Sequence, residues 1–149
     1  MKILIAYDAS PAACAAVDEV MRRPWPKATQ VRLVTVIEKP MTVPPPDGFE
    51  VYTPLFERIC ASLREEASRR VEAALRRFAD RADLVVSTEM LEGNVKESLL
   101  KAIVEWKADL VFAGLDSKDA STGRFPGSVC YGLVISSPCS IEIVKPPPA

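Results

Sequence analysis

Hydrophobic positions along this chain alternate between short apolar runs that suit strands and spacings of three or four that suit helices. Residues 2–7 form the first apolar run, and Ser10-Pro11 behind it supplies an N-cap with proline at the first helical position. Ala13, Ala16, Val17, Val20 and Met21 then share a helical face up to about Arg23, before Pro24-Trp25-Pro26 ends the element. Val31 to Ile37 predicts a second strand. Residues 38–53, with Pro40, Pro44-Pro45-Pro46 and Asp47-Gly48, read as a loop longer than most connections, either functional or mobile. Pro54 opens a helix to about Arg81, striped with apolar residues from Leu55 to Phe78; Glu65–Arg69, Glu66–Arg70 and Glu72–Arg76 lie four apart on its solvated side. A strand over 82–90, a helix capped by Asn94 with Glu97 at its third position and reaching Trp106, a strand over 109–113, a helix over 128–136 and a strand over 139–145 complete the pattern. This alternation predicts an α/β fold: a doubly wound parallel sheet, covered on both faces in three layers. Ligands of such sheets sit at the carboxyl ends of the strands, where the strand order reverses.

A length of 149 residues suits one domain with one core, placed over residues 1–145 with the proline-rich tail 146–149 outside it. The net charge of −1 is spread along the chain, which gives no footprint for nucleic acid or a membrane surface. Lys2 leads straight into Ile3-Leu4-Ile5-Ala6, too short for a signal-peptide core, and no apolar run approaches the roughly eighteen residues of a span, so a cytoplasmic location is expected. Four separated cysteines and no histidine argue against zinc and against histidine-dependent catalysis. The cysteines read as small buried apolar residues in a reducing compartment, with Cys130, near a helix start, as the candidate for a reactive thiol.

Two strand ends carry residues suited to one ligand. The fourth strand runs into Gly114-Leu115-Asp116-Ser117, then nine residues from Lys118 to Pro126, then Gly127-Ser128 at a helix start whose first N–H groups attract an anion. The first strand delivers Asp8, with Ser10 beyond it; by itself Asp8 suits a turn or cap as well as a ligand contact. A phospho-receiver would need an aspartate where the third strand has Thr88-Glu89-Met90, and a flavodoxin would need a hydroxyl-rich loop after the first strand.

Asp8-Ala9-Ser10, Glu92-Gly93-Asn94, Ala108-Asp109-Leu110-Val111 leading into Gly114, and Gly127-Ser128-Val129 before Ser137-Pro138-Cys139 together resemble universal stress protein domains over the whole chain. The resemblance implies a five-stranded parallel sheet of order 3-2-1-4-5, a cytoplasmic stress-response module that binds ATP, alone or with Mg²⁺, and a homodimer paired through the C-terminal edge strand 139–145. Carried over position by position, Asp8 would meet the ribose or adenine, the backbone of Val36 the adenine edge, Ala113 and Gly114 the ribose side, and Gly127, Ser128 and Val129 the phosphates. The family's glycine spacing is intact, but Ser117 stands where its second glycine belongs, with Asp116 beside it. Ser117 therefore joins the ligand-contact set, and a dimeric interaction protein with a degenerate phosphate loop stays open as the alternative. Tyr7, beside Asp8, is expected to stack on the base or fill its pocket. With no histidine, no Walker lysine and no evident base for water, the chain is read as a binding protein rather than an enzyme, at most a slow ATP hydrolase.

Overall fold

The computed structural model describes residues 1–38, 52–115 and 127–148, with only the backbone of 52 and 53. The elements are β1 (Lys2–Ala6), α1 (Pro11–Arg22), β2 (Thr29–Ile37), α2 (Tyr52–Arg76), β3 (Leu84–Glu92), α3 (Val95–Trp106), β4 (Leu110–Gly114), α4 (Ser128–Ser136) and β5 (Ser140–Val144). All strand pairings are parallel and the order is β3-β2-β1-β4-β5. The chain winds outward from β1 to β3, crosses back to β4, and winds outward again. Sheet order therefore reverses at β1, and the crevice above it is the place such a fold offers a ligand.

Side-chain alternation along β1 sends Ile3, Ile5 and Tyr7 to one face and Leu4 and Ala6 to the other. The first face packs on Val17 and Val20 of α1 and on Val71 and Phe78 near the end of α2. The second packs on Leu99, Ile103 and Trp106 of α3 and on Cys130 and Leu133 of α4. The expected single core is thus two clusters, because a sheet buried on both faces separates its two helix layers. Burial of each of Ile3, Leu4 and Ile5, fully inaccessible, contributes roughly 1.5–3 kcal/mol.

Several boundaries differ from the sequence reading for local reasons. Strand β2 begins at Thr29, whose buried hydroxyl donates to the Pro26 carbonyl at 2.7 Å. Helix α2 begins at Tyr52, so Pro54 sits inside its first turn, where no N–H is required. The helix stops at Arg76 rather than near Arg81, because Arg77, Phe78 and Ala79 donate to carbonyls three residues back and tighten the chain into a turn. Of the three charge pairs on α2, Glu65–Arg69 and Glu66–Arg70 form, whereas Arg76 reaches the Glu72 main-chain carbonyl at 3.4 Å. Most of the predicted loop 38–53 lies outside the described residues.

Candidate nucleotide site

Strand β1 ends short of its neighbours, and this opens a cavity of about 580 Å³. The last bond on the β1 side joins the Tyr7 amide to the Val34 carbonyl at 2.9 Å, and the Thr35 hydroxyl donates to the Tyr7 carbonyl at 2.7 Å. Backbone groups two residues apart on a strand point the same way, so the N–H and C=O of Val36 project past the end of β1 into the opening. Beyond Tyr7 the chain turns sharply: Ala9 has φ 63°, and one carboxylate oxygen of Asp8 accepts from the Ser10 amide at 2.9 Å. Asp8 is thus a turn residue that also lines the cavity.

The opposite wall is β4 running into α4. Ala113 and Gly114 form the floor, and Gly127, Ser128 and Val129 stand over it. Helix α4 starts without a side-chain cap, whereas Ser10 caps α1 through the Ala13 amide and Asn94 caps α3 through the Glu97 amide, each at 3.1 Å. The first bond inside α4 runs from the Tyr131 amide to the Gly127 carbonyl at 3.1 Å, so the amides of Ser128 and Val129 have no intrahelical acceptor. With the helix dipole they give this side of the cavity a positive pole.

Seven of the eight residues singled out from sequence, namely Asp8, Val36, Ala113, Gly114, Gly127, Ser128 and Val129, line this one cavity. Ser117, with Asp116, Lys118 and Arg124, lies outside the described residues. Tyr7 also lines the cavity, and its side chain packs in the α1–α2 cluster, buried with its hydroxyl 3.9 Å from Cys14 Sγ. Burial, with Cys14 alongside, pushes its phenol up to about 12. Cys130 is buried at the cavity wall and its thiol donates to the Gly114 carbonyl at 3.4 Å.

Gly114 has a reason beyond ligand approach. A Cβ there would lie 2.5 Å from the Ala12 carbonyl oxygen and 2.5 Å from the Ala13 nitrogen, both backbone atoms of α1. The glycine lets the first turn of α1 close over β4. Sequence reasoning missed Glu38, Leu115 and the α3 residues Val95 and Leu99, which also line the cavity. For Glu38 a signal existed, since it continues the alternation of Val34 and Val36. A volume of this size lies within the roughly 300–1,000 Å³ of small-molecule sites, and amides at one end with carboxylates at the other suit a nucleotide's phosphate and hydroxyl-bearing ends.

The family model described as the Universal stress protein family matches residues 1–145. Among solved structures, the hypothetical protein MJ0577 superposes with TM-score 0.78 at 23% identity, covering 97% of this chain and 94% of that one. A universal stress protein family protein from Arabidopsis thaliana with AMP bound gives TM-score 0.66 at 13% identity, covering 97% and 91%. A universal stress protein in complex with cAMP gives TM-score 0.56 at 18% identity, covering 98% and 97%. No curated protein matches the chain.

Proposed function

The chain belongs to the universal stress protein family, and from that premise we propose that it is a stress-related module that binds ATP, alone or with Mg²⁺, in the β1–β4 cavity, acts as a homodimeric switch or interaction domain, and catalyses no reaction beyond slow hydrolysis at most. The observation that carries this reading is the meeting of seven expected contact residues, drawn from four separate segments, around one cavity of nucleotide size. The AMP and cAMP complexes of similarly folded proteins support an adenine nucleotide as the ligand class. In this reading the backbone of Val36 meets the base, Asp8 the ribose, and the amides of Ser128 and Val129 the phosphates. ATP would supply the negative charge that those amides offset.

Dimerisation draws support from two features. Strand β5 is a sheet edge with an unpaired ladder, and α4 beside it is apolar all round, with Val134 and Ile135 exposed at 56% and 62%. A helix of that composition is ordinarily covered on every side, and pairing of two β5 edges across a two-fold axis would place a cover nearby. Titration calorimetry and a thermal shift with Mg-ATP test the ligand: binding to the native state must raise the melting temperature, and absence of both heat and shift sinks the reading.

The second reading, a dimer that binds no nucleotide, is favoured by Ser117 in place of the second glycine. Binding that appears only after Ser117→Gly with Asp116→Asn would establish it.

A further inference from the structure

Glu38, which the family pattern does not single out, lines the cavity one step past the end of β2. It follows Val34 and Val36 by the two-residue period of a strand, so its side chain leaves the backbone on the face that holds those valines. Two residues of extended chain place it about 7 Å beyond Val36, whose backbone groups are the ones available to a base. Among the described residues no hydrogen bond or ion pair engages Glu38, whereas Glu89 is tied to Arg32 and Glu92 to Arg64. Asp8, on the neighbouring strand, already spends one oxygen on the Ser10 amide.

We propose that Glu38 is a specificity-determining residue that selects ligands by the hydrogen-bonding sense of their non-phosphate end. A carboxylate accepts hydrogen bonds and donates none. It therefore favours a base that presents an exocyclic amine over one that carries only hydrogen there. Adenine and unsubstituted purine differ in that amine alone, whereas hypoxanthine also turns N1 into a donor from which a carboxylate can accept. The cavity then reads as a dipole, with helix amides at the α4 end for the phosphate and acceptors at the β1–β2 end for the base and sugar. The inference rests on the nucleotide reading given above.

The test compares AMP with purine riboside 5′-monophosphate by titration calorimetry on the full chain and on Glu38→Leu. Leucine is of similar size and removes the acceptor, and Glu38 is exposed, so folding is checked simply by an unchanged melting temperature without ligand. Expected is a preference of about tenfold for AMP in the natural protein, falling towards parity in Glu38→Leu because the amine loses its acceptor. Loss of a negative charge strengthens both phosphates alike, so only the ratio is diagnostic. A ratio unchanged by Glu38→Leu would assign the preference to the Val36 backbone and overturn the role of Glu38 while leaving nucleotide binding intact. Binding of neither nucleotide to the natural protein would overturn both.

Discussion

Gly114 and Tyr7 show how much one residue's role depends on what the fold brings against it. At Gly114 any side chain would collide with the α1 backbone, so Gly114→Ala is expected to destabilise the ligand-free protein by about 1–3 kcal/mol, read from urea unfolding. A glycine needed only for ligand approach would leave that midpoint unmoved. Tyr7 yields a pH prediction. Its phenol is held up to about 12 in the folded chain, with desolvation as the largest cause, while the unfolded chain ionises near 10. The folded state thus keeps its proton longer, so the stabilisation is complete below pH 10 and drains away as pH rises from about 10 through 12. Unfolding midpoints across that window should fall more steeply for the natural protein than for Tyr7→Phe. The spacing of β1 showed that Tyr7 shares a face with Ile3 and Ile5, but not which helices cover that face.

At the scale of elements, local rules carried most of the description. Ser10 and Asn94 cap their helices as their positions predict, and Asn94→Ala is expected to cost about 1 kcal/mol in chemical denaturation by leaving the Glu97 amide without its acceptor. Helix α4 runs over 128–136 as its sequence implies. The ends of β2, α2 and β3 were less legible. Strand β2, buried along most of its length, carries little periodic signal at its limits, β3 is a mixed polar edge strand whose pairing with β2 sets its ends, and α2 stops where its hydrogen bonds become i→i−3 rather than at a breaker residue. The uncapped start of α4 is informative because α1 and α3, in the same chain, are capped by side chains.

At the scale of the molecule the proposal turns on association. If α4 and β5 form the contact between two copies, Ile135→Asp should convert a dimer to a monomer in sedimentation equilibrium with little change in the melting profile of the isolated subunit, since Ile135 is 62% exposed. A monomer at high concentration in the natural protein, or a dimer indifferent to Ile135→Asp, would remove α4 from the interface. Among the described residues no helix is long and apolar enough to cross a membrane, and no three or more His, Cys, Asp or Glu side chains cluster in a way that would hold a metal. The sequence by itself determined the alternation of strand and helix, the caps, the burial of both sheet faces and the family, because each is written in spacings of a few residues or in short motifs whose spacing survives the serine at 117. Tertiary structure alone decided that Tyr7 packs under α1 and α2 and that Gly114 serves α1. Those outcomes depend on segments far apart in the chain meeting above β1, and on which helix covers which face of the sheet.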